Sequence, residues 1–198
     1  MCKGEKLKSI TLNCIEKLQI QSGANVRAVV SDQGSNFKEL VKSLGISAEK
    51  PYFIVNEKKF YYFYDVPHLI KSVRNNILQY DITFKDNKGA TWKHIQAFYK
   101  SYECKPLRLA PKLTHMHINS NNFQKMRVKY AVQVFNESVA GGFSTFVSFK
   151  ALLGGAAGTA EFLEKFDKLF DLFNSSKYRN AKQYNLAFMR ADYQLAFL

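Results

Sequence analysis

Long hydrophobic runs, paired cysteines and low-complexity segments are all missing from this sequence of 198 residues. Because no apolar run approaches the roughly 18–20 residues that span a bilayer, we expect no membrane partner. The first ten residues, MCKGEKLKSI, lack the apolar core of a signal peptide. The three cysteines, Cys2, Cys14 and Cys104, form neither a C-x-x-C pair nor an even disulfide set, which favours a reducing compartment.

Acidic residues are scarce relative to basic ones. Lysine and arginine number 29 against 16 aspartates and glutamates, which gives a net charge of +13 and an isoelectric point near 9.6. Such an excess favours a polyanionic partner, nucleic acid before an acidic membrane. The alternative is a basic protein that its charge keeps in solution. Hydrophobic residues make up 46% of the chain, enough for a packed core, so wholesale disorder is excluded.

The order of predicted elements changes character after residue 80. Before it, apolar spacing and turn residues predict helix, strand, helix, two strands and helix, over residues 4–21, 26–31, 35–44, 52–55, 60–64 and 67–80. Residues 81–92 predict either a hairpin or a loop. Beyond them the periodicity is mostly helical, over residues 92–104 and about 119–139, 142–153 and 159–174. We therefore predict an α/β unit at residues 1–85 and a mainly α-helical unit at residues 86–198.

Asp32 lies at the end of a short apolar run in the segment AVVSDQGSNF. A carboxylate at the C-terminal end of a strand in an open α/β sheet points into the crevice where such folds place their sites. Phosphoryl transfer with two metal ions needs several carboxylates around Mg²⁺, and Asp32 is a candidate for one of them. The alternative is that Asp32 or Ser31 caps the helix that follows Gly34.

The segment DVPHLIKSVRNN, residues 65–76, predicts a helix with a donor-rich face opposite an apolar stripe. Asp65 suits the N-terminal cap of this helix. His68 is a candidate for orienting an acid or a substrate, and Lys71 and Arg74 are candidates for phosphate contacts. The alternative is a capped helix with a solvated basic face.

The glycine-rich segment GGAAGT, residues 154–159, lacks the lysine that follows the glycines of a phosphate-binding loop, and we interpret it as a flexible connection. Asp171 and Asn174 lie three residues apart on the last predicted helix and therefore on one side of it. A carboxylate there can accept both the ring N–H and the exocyclic amine of guanine, a pattern that adenine does not offer. The alternative is a surface aspartate followed by a C-terminal cap.

Three blocks of the sequence, in this order and spacing, resemble one family. They are SDQGSNF, FYDVPHLIKSVRNNIL, and KLTHMHINSNNFQKMRVKYAVQVFNESVA with its downstream FDLFNSS. Together they resemble the P element transposases and their THAP-domain relatives over residues 28–180, and the PHLIKSVRNN block is the specific part. The resemblance implies an RNase H-like domain with Asp, Asp and Glu metal ligands. It also implies a mainly helical GTP-binding domain inserted before the final Glu.

The resemblance gives the two units and their candidate residues a role. Residues 1–85 become a partial RNase H-like catalytic domain, and residues 86–198 a truncated GTP-binding insertion domain. Asp32 matches the second catalytic Asp, a ligand of Mg²⁺. Asp65 and His68 are similar to a supporting catalytic motif beside that site.

The resemblance also implies a set of nucleotide-contacting residues in the helical unit. Lys112 matches a phosphate-contacting lysine, and Val128 matches a nucleotide-contacting position. Asn136 falls where the family can have a serine. Asp171 and Asn174 match the pair that reads guanine. In this family GTP acts as a bound assembly cofactor that positions DNA, so GTP and Mg²⁺ are the implied cofactors.

Three family features are missing from the sequence: the first catalytic Asp, the final Glu, and the N-terminal zinc finger that recognises DNA ends. We therefore expect a fragment or domesticated remnant of a P element-like DNA transposase. It binds DNA and GTP in the nucleus but has no strand-cleavage activity alone. Its further partner is either a second copy in a homo-oligomer or a complementing transposase chain. The alternative is a basic nucleic-acid-binding interaction protein with neither nucleotide binding nor chemistry.

Overall fold

The chain packs as two units that divide between Leu69 and Ile70. The structure, a computed structural model, describes residues 4–106, 108–149, 155–175, 178 and 182–187. This division lies inside the helix that the sequence predicts at residues 67–80. The domain boundary that we place between residues 85 and 86 from the sequence stays a prediction. Among the described residues, no helix is both long and apolar enough to cross a membrane.

The first unit alternates helices with short strands. Its elements are α1 (Gly4–Ser22), β1 (Ala28–Ser31), α2 (Ser35–Ser43), β2 (Tyr52–Val55), β3 (Lys58–Tyr64) and the start of α3 (Val66–Ile77). Gly23 and Gly45, which follow the first two helices, have φ of +66° and +67°, a left-handed conformation that ends a helix. Asn56 and Glu57 both have positive φ and form the two-residue turn of the β2–β3 hairpin.

A three-stranded sheet in the order β1–β3–β2 lies at the centre of the first unit. β1 runs parallel to β3, and β2 pairs antiparallel to β3. Alternation along β3 places Phe60 and Tyr62 in the core while Tyr61 stays exposed. The parallel register pairs Ser31 with Tyr64, so β1 and β3 end side by side. The buried core residues are Ile15, Leu40, Phe53, Phe60 and Tyr62.

The second unit contains the rest of α3, a small hairpin and a set of helices. Its elements are β4 (Ile82–Phe84), β5 (Lys88–Ala90), α4 (Trp92–Tyr102), α5 (His115–Ile118), α6 (Asn122–Met126), α7 (Val128–Val134), α8 (Glu137–Ser148) and α9 (Ala156–Phe173). β4 and β5 pair antiparallel, so the segment after residue 80 forms the hairpin rather than the loop. Aromatic rings pack against one another in its core, with centroid distances of 5.0 Å between Phe98 and Phe143 and 6.1 Å between Phe135 and Phe162.

The prediction of one helix over residues 119–139 is wrong, because this segment contains α6, α7 and the start of α8. Asn121 caps α6 by accepting a hydrogen bond from the Gln124 backbone N–H at 2.9 Å. Asn136 caps α8 in the same way, accepting from the Ser138 N–H at 3.0 Å. Arg127 joins α6 to α7 in an extended conformation, with φ −85° and ψ 122°. Asparagine side chains bind backbone donors and thereby begin new helices within an apolar pattern that looks continuous.

The glycine-rich segment is not a flexible connection in its C-terminal part, because that part begins α9. Gly154 lies outside the described residues. Gly158 faces the hairpin, and a β-carbon there would lie 2.5 Å from the Gly89 carbonyl oxygen. Buried Thr159 accepts a hydrogen bond from the Thr91 backbone N–H at 3.2 Å. The small residues therefore allow α9 to pack closely on the hairpin.

Candidate functional site

Two carboxylates follow the paired ends of β1 and β3. Asp32 comes directly after Ser31, and Asp65 directly after Tyr64. The Asp65 backbone N–H donates to the Ser31 carbonyl oxygen at 2.7 Å, so the pairing continues up to this point. Asp32 therefore lies at the C-terminal end of a parallel strand, as the sequence predicts.

Asp32 closes a turn and does not cap α2. Its Oδ1 accepts a hydrogen bond from the Gly34 backbone N–H at 2.7 Å. Gly34 is itself the N-cap residue of α2, with no side-chain cap. The Ser31 hydroxyl donates to the Asp32 carbonyl oxygen and is hydrogen-bonded to the Tyr62 hydroxyl. The alternative that Asp32 or Ser31 caps this helix is therefore wrong, and the Asp32 side chain is exposed beside the strand end.

Asp65 caps α3 and also holds His68. Its Oδ2 accepts a hydrogen bond from the His68 backbone N–H at 3.1 Å and lies 2.6 Å from His68 Nδ1. The carboxylate favours the tautomer with its proton on Nδ1, which leaves Nε2 as the acceptor of the ring. One carboxylate therefore both caps the helix and orients the imidazole ring of His68.

Asp32 and Asp65 do not form a metal centre with other described residues. Within the part of the chain that the structure describes, no group of three or more His, Cys, Asp or Glu side chains could hold a metal ion. Mg²⁺ binds through one or two carboxylates where waters and substrate phosphates complete its near-octahedral set of oxygen ligands, and one of these two carboxylates is engaged by His68. The described residues therefore do not fit a resident Mg²⁺ ion on their own.

Arg74 is not a phosphate contact, which corrects the sequence prediction. Its relative exposure is 0%. Its Nε donates to Asn75 Oδ1 at 2.8 Å, and its Nη2 donates to the carbonyl oxygens of Lys125 at 2.7 Å and Gln124 at 3.4 Å. Burial lowers the pKa of its guanidinium group. Arg74 therefore holds the end of α6 against α3, whereas half-buried Lys71 stays a candidate phosphate contact.

A cavity of about 510 Å³ is lined by α8, α9 and residues 182–184. Its charged lining residues are Glu137, Glu164, Asp167, Lys168, Asp171 and Lys182. Cavities of roughly 300–1,000 Å³ accommodate small-molecule ligands and cofactors. Asp171, the predicted guanine-reading residue, therefore lines a cavity of suitable size.

Lys182 joins two buried carboxylates of α9. Its Nζ lies 2.7 Å from Asp171 Oδ2 and 3.1 Å from Asp167 Oδ2. Asp167 and Asp171 are one helical turn apart, and both are buried. Burial raises the pKa of Asp167, although the charge of Lys182 acts in the opposite direction. Burial alone would lower the pKa of Lys182, but its hydrogen bond to Asp171 and the charge of Asp167 raise it. The ammonium group therefore stays charged in front of Asp171.

Of the five predicted nucleotide-contacting residues, all of them described, only Asp171 lines this cavity. Asn136 precedes Glu137, which does line it. Val128 begins α7 and packs against the hydrophobic core. Lys112 lies in an exposed turn, and Asn174 is the exposed C-terminal cap of α9.

Sequence analysis missed Asp167 and Lys182. A signal for Asp167 was present, because it precedes Asp171 by four residues, a spacing that places two side chains on one face of a helix. Lys182 carries no such signal, since its approach to α9 depends on the path of the chain after the helix.

Sequence comparisons match this chain to one domain family and to two transposases. The family model for the TNP-like, GTP-binding insertion domain matches residues 67–186. Transposable element P transposase of Drosophila melanogaster is 34% identical over 168 residues, and human DNA transposase THAP9 is 29% identical over 161 residues. These matches cover 83% and 77% of this chain but 22% and 18% of the relatives, so the chain spans about a fifth of their length.

A comparison with solved structures finds the same kind of protein. A chain of the Drosophila P element transposase strand transfer complex is similar with a TM-score of 0.86 and 30% sequence identity. The match covers 98% of this chain and 44% of that chain. The likeness is therefore one of sequence as well as of fold.

Proposed function

Because the chain belongs to the TNP-like, GTP-binding insertion domain family, we propose that its helical unit binds a guanine nucleotide with the base in the cavity at α9. The observation that carries the proposal is Asp171, a buried carboxylate that lines this cavity. Guanine presents a ring N–H beside an exocyclic amine, and one carboxylate accepts both. Adenine presents an acceptor at the corresponding ring position, so this arrangement selects guanine.

Lys182 occupies the position from which the base would donate. Its Nζ lies 2.7 Å from Asp171 Oδ2, the separation of a charge-assisted hydrogen bond. The base therefore replaces Lys182 at Asp171, while Lys182 keeps Asp167 as its partner at 3.1 Å. Both buried carboxylates remain hydrogen-bonded after this exchange, which limits its cost in free energy.

The remaining candidates lie outside the cavity. Following the family resemblance, we propose Lys112 as a phosphate contact and Val128, Asn136 and Asn174 as further nucleotide contacts. Lys112 and Asn174 are exposed and therefore accessible to a ligand. Val128 packs against the core, so its substitution should affect stability before affinity.

Calorimetric titration of the full chain with GTP and ATP tests this proposal. We expect ATP to bind about tenfold or more weakly than GTP, because adenine in the place of Lys182 would leave the buried Asp171 carboxylate without the paired donors of guanine, and a buried acceptor left unpaired costs about 1–3 kcal/mol. Asp171→Asn should lose affinity for GTP and gain affinity for xanthosine triphosphate, since the asparagine amide can donate to the additional carbonyl group of xanthine. Glu164→Gln removes a charge from the same lining at an exposed position and should keep the preference for GTP. Equal affinities for GTP and ATP would contradict the proposal.

We also propose that this transposase-derived chain has DNA as a partner in the nucleus. The net charge of +13 and the similarity to a transposase solved in a strand transfer complex support the proposal. Nuclear location follows only from the proposed partner. Fluorescence imaging of the tagged chain tests this location, and exclusion of the chain from the nucleus would contradict it.

Asp32, Asp65 and His68 remain candidates for a catalytic site that further ligands would have to complete. Because the described residues do not fit Mg²⁺ on their own, we assign no metal-dependent step to this chain. A second copy or a complementing transposase chain is the proposed source of further carboxylates. In a nicking assay with Mg²⁺ and DNA, we expect no cleavage by this chain alone. Cleavage that Asp32→Ala abolishes would show that the chain holds a complete site.

A further inference from the structure

A second surface of the helical unit is distinguished by its charge. Between Glu103 and Glu137 the sequence has no acidic residue and six basic ones, Lys105, Arg108, Lys112, Lys125, Arg127 and Lys129. The last three belong to α6, to the residue that ends it, and to α7. None of these three forms an ion pair with any residue that the structure describes. Their positive charge is therefore available to an external anion.

The same segment exposes large apolar side chains. Phe123 is 79% exposed and Met126 is 73% exposed. They lie three residues apart on α6 and hence on one side of it. One exposed apolar residue needs no explanation. An exposed aromatic ring in the same short segment as several cations, however, is the combination with which proteins bind nucleic-acid strands.

The core of the second unit supports this surface. A helix of five residues has little stability of its own, so α6 depends on contacts outside it. Arg74 donates to the carbonyl oxygens of Gln124 and Lys125 at its C-terminal end. At its N-terminal end, Asn121 N donates to Gln124 Oε1 at 2.7 Å, and Gln124 N donates to Asn121 Oδ1 at 2.9 Å. These contacts hold α6 in place with Phe123 exposed to solvent.

We propose that the α6–α7 segment, with Phe123, Lys125, Met126, Arg127 and Lys129, binds a nucleic-acid strand with unpaired bases. The three cations contact phosphates, and Phe123 stacks on a base. Unpaired bases are required because a ring on a protein surface reaches the face of a base only after the base has left the duplex stack. An anionic membrane fits less well, because the exposed apolar residues occupy one helix of five residues rather than a long apolar face. The inference rests on the proposed nucleic-acid partner and is independent of nucleotide binding at α9.

Fluorescence anisotropy of the full chain tests the proposal with a labelled oligonucleotide, either single-stranded or annealed to its complement, without added GTP. We expect tighter binding of the single strand. Phe123→Ala should weaken that binding about tenfold, the contribution of one stacked base. Phe123→Trp should keep the affinity, and the strand should quench its new indole fluorescence. Arg127→Ala combined with Lys129→Ala should reduce the slope of log affinity against log salt by about 1.4.

Two control variants match these changes elsewhere in the same unit. Phe149→Ala removes a ring that is 80% exposed at the end of α8. Lys93→Ala combined with Lys100→Ala removes two exposed charges from α4. Each control should leave the single-strand affinity within about twofold, because Phe149, Lys93 and Lys100 lie outside the segment that is proposed to contact the strand. Equal losses in Phe123→Ala and Phe149→Ala, or a preference for the duplex, would overturn the proposal. The proposal would also be overturned if the Phe123 and Arg127/Lys129 variants lost binding to phosphatidylserine vesicles but kept binding to the strand.

Discussion

Lys182→Met should make the chain less stable and, at the same time, a tighter binder of GTP. The substitution preserves the length of the side chain but removes the ammonium group that lies 2.7 Å from Asp171 and 3.1 Å from Asp167. Removing one partner of a fully buried ion pair costs about 3–5 kcal/mol. Because 36% of the Lys182 side chain is exposed, solvent screens part of this loss. We therefore expect the free energy of unfolding to fall by about 1–2 kcal/mol at neutral pH.

The pH dependence of this loss follows from Asp167. Burial raises its pKa even with Lys182 present, and removal of the lysine raises it further. A carboxyl group whose folded pKa exceeds its unfolded value takes up protons on folding. Stability therefore falls as the pH rises from about 3.9, the unfolded value, through the folded pKa. The deficit of Lys182→Met should consequently be smallest in mild acid and complete at neutral pH. Urea unfolding followed by circular dichroism over this pH range measures it.

The affinity for GTP should change in the opposite direction. In the unsubstituted chain the base has to replace Lys182 at Asp171, whereas in the variant that step is absent. Recovery of about 1–2 kcal/mol corresponds to about 5- to 30-fold tighter binding. Lys168→Met removes the cation that pairs with exposed Glu164 in the same lining, and it should change the affinity by less than about threefold. Unchanged or weaker GTP binding by Lys182→Met in calorimetry would refute the exchange at Asp171.

Three further substitutions test structural roles in urea unfolding experiments. Arg74→Met should lower the free energy of unfolding by about 1.5–3 kcal/mol, because it removes the hydrogen bonds from a charged donor to the carbonyl oxygens of Gln124 and Lys125 at the end of α6. A loss no larger than that of a surface substitution would contradict this role. Gly158→Ala should destabilise the chain, since the new β-carbon would lie 2.5 Å from the Gly89 carbonyl oxygen. The control is Gly141→Ala on α8, whose β-carbon would have no neighbour within 4 Å, and it should stabilise the chain by about 0.5–1 kcal/mol. Asp65→Ala should cost about 1 kcal/mol through the lost cap, and Asp65→Asn should retain most of that stability; identical unfolding of the two variants would exclude the cap.

Local turn and cap chemistry made the first unit predictable. The strand that ends before Asp32, the helix that stops at Gly45 and the cap at Asp65 each depend on near neighbours in the sequence. The prediction of the family is confirmed, as is that of an α/β unit followed by a mainly helical one. The RNase H-like assignment stays a prediction, as do the roles of the predicted site residues other than Arg74.

Long-range packing determined the features that the sequence could not show. Arg74 has the spacing of a solvated basic face, yet its partners are the carbonyl groups of residues 124 and 125, which lie 50 and 51 positions later. Lys182 meets Asp171 from beyond the end of α9, where no periodicity relates the two. Apolar spacing over residues 119–139 correctly indicated helical structure, but it could not show that asparagine caps would divide it.

The charges of the helical unit constrain how a nucleotide would enter. The cavity at α9 is lined by four carboxylates and two ammonium groups, belonging to Glu137, Glu164, Asp167, Asp171, Lys168 and Lys182. A triphosphate among these residues would meet a net negative charge, whereas the neutral base would offer its N–H donors to acceptors. The base is therefore expected inside the cavity and the phosphates outside it. Lys112, the candidate phosphate contact, belongs to the acid-free run between Glu103 and Glu137. Selection of guanine and attraction of phosphate would then depend on different parts of the unit, an acidic cavity for the base and a basic surface segment for the phosphates.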